Sequence, residues 1–337
     1  MAHRRSLSPR ERVRVKAVHR SWVPFQNSGS PAFGNLARKA EVKCRGSTSE
    51  HAGPRRRSER NAFTLVELLV VIAVIAILAS LALPALSAAR GKGQATVCLS
   101  QHRQLSLALQ LYADDSEDRL PYNFGASETR EAIDSGRFNN WATSLLDWEV
   151  NPANTNLAWL RAGGLGPFLS GGVSVMRCPS DRVVSSLQRA AGWTGRARSI
   201  SLNAMVGNAG EFMVGYSNTN NPSYRQYLRV GDIRAASRIF TFIDEHPDSI
   251  NDGYFLNRLG YREWLDLPAS YHQGAATLSY LDGHGERRRW LSSRTKPPSR
   301  PDAAQLPIEL PDSDTADYQW LMDRTTVAVG EVVAGQN

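Results

Sequence analysis

The chain has 337 residues, 42% hydrophobic and 21% charged, the make-up of a globular protein with room for one or two modest domains. Its formal charge of +8 would point to nucleic acid or anionic lipid, but residues 1–62 hold 15 Lys and Arg against 4 acids, leaving 25 against 28 from Phe63 onward. The globular remainder therefore lacks the basic excess that neutralising phosphates demands, which excludes nucleic acid as its expected partner.

Residues 1–62 are rich in Arg, Ser, Pro and Gly, show no hydrophobic period, and are expected to form a basic disordered leader. No Met occurs between Met1 and Met176, so a shorter product would begin at a non-Met codon, for example at Val42. Next comes Phe63–Leu83, FTLVELLVVIAVIAILASLAL, whose one charge is Glu67. As a helix it would be about 31 Å long, enough to cross the hydrocarbon layer. Arg55, Arg56, Arg57 and Arg60 stand before it, and this positive flank predicts a cytoplasmic N-terminal side with the rest translocated across the inner membrane.

A carboxylate five residues into such a helix costs about 3 kcal/mol on insertion scales, and no cation lies on its side of the span. Cutting the chain before Phe63 would create one, an α-amine a helical turn from Glu67. A secretory signal peptide, with A-x-A-like sites between Ala82 and Ala89, and an uncleaved anchor are the plainer readings, but neither explains Glu67. The run Asn61-Ala-Phe-Thr-Leu-Val-Glu67-Leu-Leu resembles the cleavage and methylation motif of type IV prepilins and type II secretion pseudopilins. The resemblance implies that prepilin peptidase cuts after Ala62, that Phe63 becomes the N-methylated terminus, and that Glu67 guides assembly. Pro84 matches the family's helix-kinking proline. Ala62 departs from the usual glycine, and the 62-residue leader is longer than most.

Past Pro84, Cys98, Leu105, Leu109 and Tyr112 fall on one helix face, with Gln101, His102, Arg103 and Gln104 read as the other. This predicts an amphipathic stem, residues 84–113, continuing the span to about Tyr112 with softening at Pro84, Gly91 and Gly93. Asp114, Asp115, Glu117 and Asp118 follow, either solvated in a turn or holding a cation.

Residues 114–292 are expected to form an α+β periplasmic head. Trp141, Trp148 and Trp159 read as core, and a short helix is predicted near Asn156–Ala162. Strands are predicted over Val175–Asp181, Ser199–Asn203 and Arg238–Asp244, with a polar Gly- and Asn-rich loop over 208–221. Gly274–Trp290 reads as two strands around an Asp282-Gly283 turn. His272 followed by Asp282-Gly283 resembles the C-terminal H-x9-D-G element of some bacterial pilin-like proteins, and the runs at Cys178-Pro-Ser-Asp and Ser249-Ile-Asn-Asp-Gly look similar to the same group. Residues 293–337 read as a Pro-rich linker, a short helix within Asp312–Arg324 docking Trp320 and Leu321, and a loose tail from Val327.

Three constellations are candidates for chemistry. Asp244, Glu245, Asp248, Asn251 and Asp252 offer oxygen ligands within nine residues, a set that suits Ca²⁺, against the alternative of an acidic solvent loop. Cys98 and Cys178 either form a disulfide closing a loop of roughly 80 residues, contributing about 4 kcal/mol, or stay as separate buried thiols. His272 and Asp282 could share a site with the acids at 244–252 only if the chain reverses between them, as at Gly274, because an extended path would part them by about 33 Å. No Gly-rich phosphate loop, G-x-S-x-G or H-E-x-x-H occurs.

The expected fold is α+β and pilin-like: a long N-terminal helix, its first half membrane-spanning, packed on an antiparallel β-sheet head. The expected function is a non-enzymatic subunit of a pseudopilus or type IV pilus-like fibre. Its partners would be prepilin peptidase, other pilin-like subunits and inner-membrane lipid. The rival is a solitary membrane-tethered binding module or hydrolase.

Overall fold

In the computed structural model, residues 64–301 and 303–330 are described. They open on helix α1, Leu65–Asp115, whose start is written into Thr64-Leu-Val-Glu67. Thr64 Oγ1 accepts from the Glu67 amide at 3.2 Å, and the Glu67 carboxylate accepts from the Thr64 amide at 2.8 Å, a reciprocal capping box. The helix runs unbroken through Pro84, Gly91 and Gly93, three residues beyond Tyr112. Proline at 84 removes one backbone bond, and the softening expected there is not a break. The large apolar residues from Leu65 to Leu86 are all solvent-exposed, so nothing in the head covers this half. From Ala95 on, α1 buries Cys98, His102, Leu105, Ala108 and Leu109. His102 was expected on the outer face, but it stands one turn after Cys98, and i, i+4 positions share a face.

The head carries four short helices, α2 (Ala126–Asp134), α3 (Leu157–Ala162), α4 (Ser186–Ala190) and α5 (Ala316–Met322). Its strands are β1 (Ile200–Asn203), β2 (Met213–Val214), β3 (Ser217–Asn218), β4 (Asn221–Arg225), β5 (Phe240–Asp244), β6 (Tyr254–Phe255), β7 (Glu263–Trp264), β8 (Ala275–Tyr280), β9 (Gly285–Arg289) and β10 (Ile308–Glu309). The central sheet has the order β6-β1-β5-β8-β9, antiparallel throughout except for the parallel β1/β6 edge. Alternation along the strands, shifted in β5 by a bulge between Phe240 and Phe242, builds two cores. Phe242 of β5 joins Leu105, Leu109 and Trp141 beneath α1, while Phe240, Ile243, Leu278 and Tyr280 face Trp264, Trp290 and Leu321 on the other side. Gly285 marks the tightest approach of helix to sheet: a Cβ there would lie 2.6 Å from Leu99 Cδ1.

Three segments differ from expectation. Val175–Asp181 is no strand: a 3₁₀ turn, Val173–Met176, starts from Gly172 at φ 74°, and Pro179 has no N–H to give a ladder. Residues 208–221 contain the β2-β3 hairpin, turning at Gly215 with φ 62° and joined to β4 in a small separate sheet. Val327 and Val329 hydrogen-bond to Arg225 and Ser223 at β4, so the chain is tied down through this stretch.

Candidate functional site

The first candidate is the start of α1. Ala62 and Phe63 lie outside the described residues. Glu67 lies within them, exposed, with its carboxylate held by the amide and hydroxyl of Thr64, each at 2.8 Å. The Thr-x-x-Glu spacing that signals this cap is plain in the sequence, and it supplies hydrogen bonds to Glu67 that the charge argument alone overlooked. It supplies no positive charge. Among the described residues, α1 is the one helix long and apolar enough to cross a membrane, and its apolar half is not buried.

The second candidate lies where α1 crosses the sheet. Cys98 and His102 come from adjacent turns of α1, Cys178 from the turn after the 3₁₀ segment, Asp244 from the end of β5, and His272 from the loop entering β8. All five are buried. The Cys98 thiol donates to Asp244, its sulfur 3.1 and 3.2 Å from the two carboxylate oxygens, and His102 Nε2 lies 3.3 Å from Asp244 Oδ1. The Thr277 amide of β8 donates to Asp244 Oδ2 at 3.0 Å. His272 Nε2 sits 3.3 Å from Cys178 Sγ and 3.8 Å from Asp244 Oδ2, while its Nδ1 lies 3.4 Å from Ser180 Oγ. The reversal that returns the chain into β8 falls at Gln273 and Gly274, with φ of 62° and 81°.

This packing sets the proton affinities. Burial opposes the Asp244 carboxylate, yet His102, His272 and the Cys98 thiol outweigh it and hold its pKa below the usual carboxylate value. Burial pushes the Cys98 thiol well up, whereas the adjacent Cys98 side chain, with His272 beside it, draws Cys178 down. His272 is disfavoured as a cation by burial, but Cys178 and Asp244 raise it above its ordinary value. The two cysteines meet here as free thiols.

The acidic loop is distributed among different partners. Glu245 turns to Ser201 and the Arg198 charge, and burial lifts its pKa to about 7. Asp248 accepts from the Arg300 amide, Asn251 from the Asp252 amide, and Asp252 from the Tyr254 amide. With Asp244 given over to Cys98 and His102, the five oxygens proposed for Ca²⁺ do not gather into one of the ligand groups found among the described residues. Asp282 and Gly283 lie apart from His272, in the β8-β9 turn: Gly283 has φ 87°, and Asp282 accepts from the backbone and ring of His284. Asp114 and Asp115 close α1 itself, Asp118 accepts from the Gly231 amide, and Asp115 and Glu117 border a groove of about 890 Å³ that Arg119 and Arg229 also line.

Residues 57–83 match the prokaryotic N-terminal methylation motif. The match, together with the exposed apolar half of α1, supports a type IV pilin-like or pseudopilin precursor, anchored in a membrane and processed by prepilin peptidase. It stops short of the head, and no curated protein and no solved structure matches the chain.

Proposed function

We propose that the chain is a structural subunit of a type IV pilus-like fibre or a type II secretion pseudopilus, cut after Ala62 and assembled through α1. The observation that carries this reading is the pairing of the methylation motif with a helix half that the head leaves wholly uncovered from Leu65 to Leu86. In a bilayer that surface meets lipid; in a fibre it meets the same surface of neighbouring subunits. Either medium removes it from water, and the passage between them is what assembly by such a subunit requires. The amine created at Phe63 would supply the positive charge that Thr64 cannot, so a neighbour's Glu67 is the natural counter-ion as subunits leave the membrane. The head would remain on the periplasmic side, with prepilin peptidase acting at the cytoplasmic face.

Two measurements test this. The mass of the mature N-terminal peptide should correspond to N-methylated Phe63; a chain retaining residues 1–62, or cut near Ala82–Ala89, would return it to the class of ordinary anchored or secreted proteins. Glu67→Ala subunits should be processed normally but recovered in sheared fibres at less than about a tenth of the wild-type yield, the effect of an ion pair worth more than about 1.4 kcal/mol. Equal recovery of the two would remove the assembly role of Glu67.

A further inference from the structure

We propose that Cys98, Cys178, Asp244 and His272 form a closed four-ligand site for a transition metal of the zinc class, pinning α1 to the sheet. One donor atom from each lies within 4.8 Å of those of the other three. Three of the separations are 3.1 Å for Cys98 to Asp244, 3.3 Å for Cys178 to His272, and 3.8 Å for His272 to Asp244. Zinc bonds of roughly 2.0–2.3 Å to oxygen, nitrogen and sulfur place tetrahedral vertices about 3.3–3.8 Å apart, so these three separations already match a tetrahedral edge to within a few tenths of an ångström, and the others, none above 4.8 Å, would close by at most about 1 Å around an ion. Two sulfurs and an imidazole select a borderline-soft ion and exclude Ca²⁺ and Mg²⁺, which take oxygen ligands.

The surroundings are arranged as a ligand set needs. His272 presents Nε2 to the cluster, and its Nδ1–H can donate to Ser180 Oγ, which in turn donates to Gln94 Oε1. That chain fixes the tautomer in which Nε2 is free to coordinate. The Thr277 amide and His102 Nε2 both point at the Asp244 carboxylate and hold it in place. His102 Nδ1 is buried without a partner, an orphan that marks the pocket as organised around the carboxylate rather than around hydrogen-bond economy. With all four ligands buried, no open coordination position faces solvent, which fits a structural ion and not a catalytic one. Binding would replace the two thiol protons with the dication and release them to water, leaving the carboxylate charge beside His102. Cys98 and Asp244 are 146 positions apart in sequence, so the ion would cross-link the stem to strands laid down much later in the chain.

The test uses the full chain in detergent, as unassembled subunits in a Cys44→Ser background, so that its outcome is independent of fibre formation. Mass spectrometry of the metal should give about one zinc per chain, and Cys98 and Cys178 should resist thiol reagents until a strong chelator is added. Exchange with Co²⁺ should yield the visible bands of a tetrahedral ion and a near-ultraviolet thiolate charge-transfer band. Cys178→Ser and His272→Gln should lose the ion; since these chains can also fail to fold, the wild-type Co²⁺ spectrum is decisive. His102→Gln, which alters a positioning residue, should keep the stoichiometry but weaken zinc affinity about 10- to 100-fold in a chelator competition. A folded chain without metal overturns the proposal, whether its thiols react directly or its mass, lower by two hydrogens, reveals a Cys98–Cys178 disulfide.

Discussion

Asp252 shows how a single buried acid in the head bears on stability. Its carboxylate accepts from the Tyr254 amide, but burial dominates and lifts its pKa from 3.8 to about 6 despite the nearby Arg198 charge. Between these values the unfolded chain releases its proton first, so this group makes stability fall as pH rises from about 4 to about 6, then level off. The two-unit shift corresponds to roughly 3 kcal/mol. Asp252→Asn keeps an oxygen to accept from Tyr254 and removes the charge. Melting of the full chain in detergent should therefore show the variant equal to wild type near pH 4 and more stable near pH 8. A constant offset at both pH values would show that packing, not ionisation, separates them. The methylation motif around Glu67 was legible in the sequence because its residues stand at fixed spacing, as the match over residues 57–83 supports. His102 was less legible: its neighbours are polar, but its position four after Cys98 puts it on the buried face.

At the scale of elements, the joint between α1 and the sheet rests on Leu105 and Leu109, both fully buried against Trp141 and Phe242. Leu109→Ala should destabilise the head by about 2–5 kcal/mol, read from denaturant midpoints at unchanged slope. The entry into β8 depends on Gly274 at φ 81°, and an alanine there should cost about 1–2 kcal/mol through the left-handed backbone alone. If Gly274→Ala unfolds no more easily than wild type, the reversal does not rely on glycine. The strands β1, β5 and β8 were legible from their apolar runs, and the polar β9 only through the Asp282-Gly283 turn that pairs it with β8. The small β2-β3-β4 sheet was hidden, since its Asn-rich strands are held by side-chain bonds, such as Asn218 to Gln226, and not by an apolar pattern. The parallel β1/β6 pairing was equally hidden, because partner choice between distant strands leaves no local mark. The gathering of Cys98, Cys178, Asp244 and His272 belongs to the same class: each residue is ordinary in its own segment, and only the topology brings them together.

For the whole molecule, the positive flank at Arg55–Arg57 and Arg60 beside the apolar half of α1 predicts a cytoplasmic N-terminal side. Protease added outside spheroplasts should digest residues beyond about Asp115 while leaving the N-terminal side protected; digestion only after lysis would reverse the topology. The described part of the chain also has a built-in spacing. The head first meets α1 at Gly91, where a Cβ would lie 3.6 Å from Gln273, and at Gln94, which accepts from Ser180, so the preceding 26 residues, Leu65–Arg90, form a free rod about 39 Å long. A hydrocarbon layer of about 30 Å would occupy about three quarters of it. With the span seated in a bilayer, the remaining 9 Å or so, ending at Arg90, would pass the lipid phosphates and hold the head just above them on a short stalk. Such a stand-off makes the helix a lever: a tilt of a few degrees at the membrane becomes a sideways sweep of several ångströms at the head, and the depth of the anchor sets how high each subunit is carried.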